Sequence, residues 1–458
     1  MSDLIHSTSN PKILTLKTLR DEKGIKKIDL SNSQLSDGEF EGIFESYILP
    51  HADELEFLNL GGNNLSRLPP SFCRCKALKI LFFANNNFES VPEALSNIEL
   101  NMLSFKGNRL TDIAEGSLNP SISWLILTDN QLTRLPRTIG NLVGLRKVML
   151  AANKISYLPD EMKRCRDIEL IRLSSNAFTE FPDWLWTLPR LSWVAFAGNI
   201  GNAEAAEEEE ENRNVISYNE LEVKEKLGEG ASGEVFRVVQ GDTSFALKLF
   251  RGAATSDGLP EDEIRVMRRL GSHDNLVNVL ASVAGLPGGQ EAALMPLLPP
   301  SFAVLGQPPN FQTCTRDTYP DGKSFTPKVA VQILEAIAGA CAHLHSRGLS
   351  HGDLYAHNIL VEGTEAGECT RVKLTDYGAA SFSNVLKPDQ VHLLERVEVR
   401  AYGCLIEELL ARLVGHGKEV EARLQQVIAR AMAEDVVSRP SFQELHQEMV
   451  TLLKDVVL

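Results

Sequence analysis

The sequence predicts an α/β repeat solenoid followed by an α+β domain. Three observations carry this expectation. An apolar pattern recurs eight times between residues 25 and 201. A glutamate-rich run then interrupts the chain at 202–212. Beyond it, two alternating strand patterns flank a glycine-rich turn, and helical spacings follow.

The repeat has the form L-x-x-L-x-L-x-x-N-x-L and starts at Ile25, Leu55, Leu78, Leu100, Ile122, Leu145, Ile168 and Leu191. After a long first unit the spacings are 23, 22, 22, 23, 23 and 23 residues. This is the period of a leucine-rich repeat, in which each unit buries its apolar face against its neighbours. Asparagines fall in register at Asn63, Asn86, Asn108, Asn130, Asn153, Asn176 and Asn199. A buried amide there satisfies backbone groups where the chain leaves each short strand. Most units continue with an apolar residue and a proline, as in Leu68-Pro69, Leu135-Pro136 and Leu158-Pro159. Proline ends the strand side and starts a helical or extended segment.

Strand alternation sends the residues between the core positions to the concave surface. These are Phe57, Ile80, Phe82, Met102, Trp124, Ile126, Met149, Leu170 and Trp193. The face they form is far more apolar than a solvated sheet. It is expected either to receive a protein partner or to be covered by the chain's own second domain.

The run at 202–212 carries one sign of charge and reads as a solvated tether. The expected organisation is an N-terminal cap at 1–24, repeats at 25–201, an acidic linker at 202–215 and a C-terminal domain at 216–458. The net charge of -15 argues against nucleic acid or anionic lipid as a main partner. No apolar run approaches the ~20 residues of a membrane span, and no secretory signal pattern opens the chain. Seven scattered cysteines read as free thiols in a reducing compartment, so the expected location is cytoplasmic.

The C-terminal domain opens with Leu221-Glu-Val-Lys-Glu-Lys-Leu227 and Gly233-Glu-Val-Phe-Arg-Val-Val239, two strand patterns joined by Gly228, Gly230 and Gly233. Glycines at that spacing let backbone N–H groups approach phosphate oxygens without Cβ clashes. The turn lies between two strands, whereas a dinucleotide site would place it between a strand and a helix. Lys248 follows in an apolar strand and Glu263 in a helical stretch. Paired, they would hold the α- and β-phosphates of a nucleotide. Thr326-Pro327 is a cap and first-turn pair for a helix ending at Gly348. That helix delivers His351-Gly-Asp-Leu-Tyr-Ala-His-Asn358, and Leu374-Thr-Asp-Tyr-Gly378 comes after it. Asp353 would orient and deprotonate an acceptor hydroxyl, and Asn358 with Asp376 would hold a magnesium ion.

On these motifs, residues from about 218 to 458 resemble the eukaryotic-type protein kinase domain. Residues from about 25 to 200 resemble leucine-rich repeat proteins of the cytosolic, Leu-Pro-rich kind. The resemblance implies a two-lobed protein-kinase-like fold with ATP and Mg2+ in the cleft. It implies Met295 as gatekeeper, Pro296 and Leu298 as the hinge groups facing adenine, and Val235 and Ala246 as the roof over the base. It also implies transfer to a protein substrate, on serine or threonine, with the repeats choosing partners through their concave face.

The departures from the family pattern are specific. Gly352 stands where the family has an arginine before the catalytic aspartate, and Tyr355 where serine/threonine kinases have a lysine. Ala-Pro-Glu is absent, and only 22 residues separate Asp376 from Glu398, which is expected to open a central helix. The family's usual docking platform for peptide substrates is therefore expected to be reduced or different. Two rival readings stay open, a pseudokinase scaffold and a small-molecule phosphotransferase of kinase-like fold.

Overall fold

In the computed structural model, which describes residues 24–199, 214–230, 233–250, 255, 257–363, 371–415 and 417–457, each repeat contributes one three-residue strand. Most of the expected N-terminal cap and acidic linker, and Ala231 and Ser232 of the glycine turn, lie outside the described residues. By compactness the chain divides between Ile168 and Glu169, inside the repeats rather than after them.

The first unit holds strands β1 (Lys27–Asp29), β2 (Phe57–Asn59), β3 (Ile80–Phe82), β4 (Met102–Ser104), β5 (Trp124–Ile126) and β6 (Lys147–Met149), each parallel to the next. The middle residue of each, such as Leu58, Leu81 or Leu125, is buried, as alternation requires. The long first repeat inserts helix α1 (Asp37–Ile43), started by a Ser36–Glu39 capping box. The asparagine ladder forms as the spacing predicts. Asn86 donates to Leu60 O at 2.9 Å and Phe83 O at 3.1 Å, and its own oxygen accepts from Leu65 N at 2.9 Å. Pro69, Pro92, Pro136 and Pro159 each sit at the N-cap of a short 3₁₀ turn. Their fixed φ supplies the extended-to-helical corner.

The second unit begins with the last two repeat strands, β7 (Leu170–Arg172) and β8 (Trp193–Ala195), paired in parallel. A six-stranded sheet follows, built from β9 (Val215–Ser217), β10 (Glu222–Glu229), β11 (Gly233–Gln240), β12 (Thr243–Phe250), β13 (Ala281–Ala284) and β14 (Ala292–Pro296). Its strand order is β10-β11-β12-β14-β13-β9, and α2 (Pro260–Arg269) lies between β12 and β13 in the chain. The predicted hairpin is β10–β11. One face of this sheet is closed by Leu221, Val238, Leu247, Val283 and Leu294.

The remaining elements form the helical part. They are β15 (Phe302–Val304), α3 (Pro327–Ser346), β16 (Leu349–Ser350), β17 (Ile359–Glu362), β18 (Arg371–Leu374), β19 (Ser381–Phe382), α4 (Pro388–Leu410), α5 (Lys418–Ala431) and α6 (Phe442–Val457). Thr326 caps α3 by accepting from Val329 N, and Ile333, Ile337, Cys341 and Leu344 are buried along it. Helix α3 is the one described helix long and apolar enough to cross a membrane, and 67% of that stretch is buried within the fold.

One expectation is corrected. Glu398 does not open the central helix, because α4 starts ten residues earlier at Pro388, where proline at the first turn and Gln390 Oε1, accepting from Lys387 N at 3.2 Å, set its start. Glu398 is instead buried in mid-helix. On the strands, Met102, Leu170 and Trp193 keep the face that alternation gives them but are buried there. Met102 lies between Ile80 and Trp124 in the sheet register, and Trp193 is covered by residues of the same unit.

Candidate active site

The β11–β12–β14 register sets one wall of the site. Val235 pairs with Lys248, and Ala246 with Met295, so these four side chains share a face of the sheet. Pro296 pairs with Phe245 on the opposite face, and Leu298 lies just past the strand, half-buried. Gly228 and Gly230 have open space where a Cβ would be, while a Cβ at Gly233 would lie 2.0 Å from Leu249 O. The third glycine is thus required by the neighbouring strand, and the first two leave the turn unobstructed.

Lys248 does not face solvent as strand alternation alone would have it. Its ammonium is ion-paired with Glu263 of α2, with the two side chains 12% and 2% exposed. Burial would lower the lysine pKa, but the charges of Glu263 and Asp376 outweigh it and hold Lys248 above its usual value. Lys248 therefore stays charged.

The loop that carries Asp353 and Asn358 runs from β16 to β17. Glu398 of α4 fixes its start, accepting from Gly352 N at 2.6 Å and His351 N at 3.3 Å. His351 is fully buried, with Nε2 3.0 Å from Thr375 O. Asn358 donates Nδ2 to Asp353 Oδ2 at 2.8 Å and to Asp353 O at 2.9 Å. Burial would raise the Asp353 pKa, yet Arg172, His357 and His351 together hold it below the usual carboxylate value. Asp376 adopts a left-handed conformation, φ 59°, and its carboxylate is exposed. Tyr377 behind it is buried, donating to Leu374 O at 3.0 Å.

The donor set suits magnesium. Asn358 spends its N–H groups on Asp353, which leaves its amide oxygen as the atom for a cation. Asp376 adds a carboxylate. Hard oxygen donors in small number are what magnesium takes when phosphates complete its shell.

The protein kinase domain family matches residues 221–393, and the Leucine Rich Repeat family matches residues 54–75. The chain combines leucine-rich repeats with a protein kinase domain. It is similar to a probable serine/threonine-protein kinase, gdt2, of Dictyostelium discoideum, 26% identical over 38% of this chain and 10% of the relative. A putative serine/threonine-protein kinase of Acanthamoeba polyphaga mimivirus is 26% identical over 44% of this chain and 38% of the relative. The human PH domain leucine-rich repeat-containing protein phosphatase 1 is 29% identical over 33% of this chain and 9% of the relative. The chain thus spans well under half the length of each.

The kinase domain's departures now have physical reasons. Gly352 has φ +72°, and a Cβ there would lie 2.5 Å from both Ala379 O and Val194 O. No arginine fits, because β8 occupies the space. Tyr355 is 5% exposed, stacked between Trp193 at 4.4 Å and His357 at 5.0 Å. His357 is turned to Asp317, with Nδ1 2.8 Å from Oδ1 and its backbone N donating to Oδ2 at 2.8 Å. Burial would lower the His357 pKa, but Asp317 outweighs it and raises it. Arg439 donates to Ala433 O, Arg396 O and, at 2.6 Å, to Pro189 O between the last two repeat strands. Burial first, and the neighbouring Arg400 charge second, push its pKa down to about 10.

Sequence reasoning missed Arg172, Asp257 and Asp317. One signal was available. At the third position of the eight repeat strands stand Asp29, Asn59, Phe82, Ser104, Ile126, Met149, Arg172 and Ala195. Arg172 is the single cation in that row.

Proposed function

We propose that the protein is an ATP- and magnesium-dependent kinase that phosphorylates serine or threonine in proteins, with its repeats selecting partners, in the cytoplasm. The observation that carries this is the closed Lys248–Glu263 ion pair facing Asp376, beside a catalytic loop in which Asn358 holds Asp353. The relatives named as serine/threonine kinases support the acceptor class.

In this reading Lys248 binds the α- and β-phosphates and Glu263 fixes the lysine's position. Val235, Ala246 and Met295 enclose the adenine side, with the hinge at Pro296 and Leu298. Asp353 orients the acceptor hydroxyl and takes its proton as the oxygen bonds to the γ-phosphorus, and the bond to the β-bridging oxygen breaks. Asn358 and Asp376 would hold the metal, which when bound neutralises charge developing on the phosphates. The test is transfer of labelled phosphate from ATP to a generic protein substrate. Wild-type protein is expected to transfer, and Asp353→Asn to lose about 10²–10⁴-fold. Equal transfer by both would overturn the role of Asp353.

Partner choice is assigned to the half-buried stripe of Phe57, Ile80, Phe82, Trp124, Ile126 and Met149. Trp124 lies at its centre, with Lys147 Nζ 4.2 Å from the ring centroid. Aromatic and methionine side chains in such a setting dominate binding energy. Trp124→Ala is expected to leave melting nearly unchanged and to weaken capture of a partner. An early-melting variant would show that the ring is core instead.

A further inference from the structure

Strand β7 belongs to the repeats by sequence, yet it delivers a side chain to the catalytic base. Arg172 is 2% exposed. Its Nη1 donates to Gly352 O at 2.9 Å, Nη2 is ion-paired with Asp353 Oδ1, and Nε lies 2.7 Å from Asp257 Oδ1. The other oxygen of Asp353 takes Asn358 Nδ2. The carboxylate is therefore held at both oxygens, one from the catalytic loop and one from the repeats. Two residues past Asp353 stands Tyr355, which carries no charge to do this from within the loop.

The approach of β7 and β8 is fixed by several independent contacts. Trp193 Nε1 donates to Leu354 O at 3.0 Å, and Phe196 N donates to Ser381 Oγ at 2.9 Å. Arg400 Nη1 donates to Ser192 Oγ at 2.8 Å, and Gly352 lacks the Cβ that would strike Val194 O. A guanidinium presents its donors in a rigid fork, so once β7 is fixed the carboxylate plane is fixed with it. The Lys248–Glu263 pair is closed in the same arrangement, and Asp353 keeps 18% of its side chain exposed while Arg172 keeps almost none. That open edge is where an acceptor hydroxyl can arrive.

We propose that Arg172 is a positioning residue of the phosphotransfer centre. From the seventh repeat strand it sets the orientation in which Asp353 receives the acceptor's proton, so the last two repeats are part of the active centre. This rests on the kinase reading given above.

The test compares full-length wild type, Arg172→Gln, Arg172→Lys and Arg172→Ala for kcat, KM for ATP, nucleotide affinity and melting. Arg172→Gln is expected to lower kcat about 10²-fold, the scale of a misplaced catalytic group, with KM for ATP and nucleotide affinity unchanged. Arg172→Lys keeps the charge but not the fork and is expected to fall between. Added guanidinium ion is expected to restore part of the activity of Arg172→Ala. An unchanged kcat in Arg172→Gln would overturn the proposal. A raised kcat would also overturn it, showing that the arginine blocks the base. Should Arg172→Gln not fold, Arg172→Lys decides, since a folded lysine variant with wild-type kcat removes the fork from the mechanism. Absence of transfer in the wild type, seen before any variant is compared, would overturn the kinase reading and the inference together.

Discussion

The indole of Trp193 lies flat on the phenol of Tyr355, with ring centroids 4.4 Å apart and 4° between the planes. A residue that the repeat pattern places on the concave face is thereby covered by a tyrosine of the C-terminal domain. The same indole donates to Leu354 O, so the contact is both apolar and directional. Trp193→Ala is expected to destabilise the C-terminal unit by about 3–5 kcal/mol, the usual cost of emptying a buried tryptophan site. Trp193→Phe keeps a ring but leaves Leu354 O without this donor, at about 1 kcal/mol. Thermal or denaturant unfolding of the two variants measures both numbers. Equal stability of Trp193→Ala and wild type would refute the stack as a stabilising contact.

Restoring the arginine that the family pattern carries at position 352 is expected to damage the protein. Gly352 has a left-handed backbone and two carbonyl oxygens within 2.5 Å of the missing Cβ. Strain and overpacking each cost about 1–3 kcal/mol, so Gly352→Arg should lose at least about 2 kcal/mol of stability and reduce transfer. A Gly352→Arg protein that melts with wild type would show that β8 can yield.

Activity is expected to be independent of phosphorylation in the segment after Asp376. Gly352 removes the usual cationic partner for a phosphate there. Only 11 residues lie between Asp376 and the start of α4 at Pro388. Ser381 is fully buried, accepting from Phe196 N and donating to Ala379 O, and Ser383 is 6% exposed. Phosphatase treatment should leave transfer unchanged. Ser381→Ala should remain active while losing about 1 kcal/mol, because Phe196 N–H loses its acceptor. Loss of transfer after phosphatase would reject this.

Stability should fall between about pH 4.5 and 7 in part because of Glu408. This α4 side chain accepts from Tyr319 OH at 3.0 Å and Asp317 N at 3.2 Å. Burial first, and the charge of Asp317 second, push its pKa up from 4.5 to about 7. The folded chain thus keeps a proton that the unfolded chain has already lost. The contribution is whole below 4.5 and is lost as the pH rises through 7. Glu408→Gln stays neutral throughout and should flatten this slope, gaining roughly 2 kcal/mol over wild type at pH 8. An identical pH–stability curve for the two proteins would show that Glu408 ionises normally.

Local chemistry made much of this protein readable from its sequence. The repeat period fixed the strands, because each unit is a short local structure that only its neighbours can complete. The asparagine ladder and the proline corners followed from backbone needs within one or two repeats. The order and spacing of Lys248, Glu263, Asp353, Asn358 and Asp376 were visible as a set, since phosphate chemistry demands those residue types. The start of helix α4 is signalled by Pro388, not by the buried Glu398 motif further along.

Contacts between segments distant in sequence were not readable, and they decide the character of the site. Arg172 and Asp353 are 181 positions apart. No periodicity links a lone cation on a repeat strand to a carboxylate in a catalytic loop. Gly352 and Tyr355 read as departures when taken alone, and Arg439 as a match to the family's late Arg-Pro. Each acquires its reason only when β7, β8 and the turn at Pro189 are packed against them. The glycine clears space for Val194, the tyrosine stacks on Trp193, and the arginine finds a carbonyl in the repeats. Sequence specifies which groups can act. Close packing of remote strands, with every buried polar atom needing a partner, selects which of them meet.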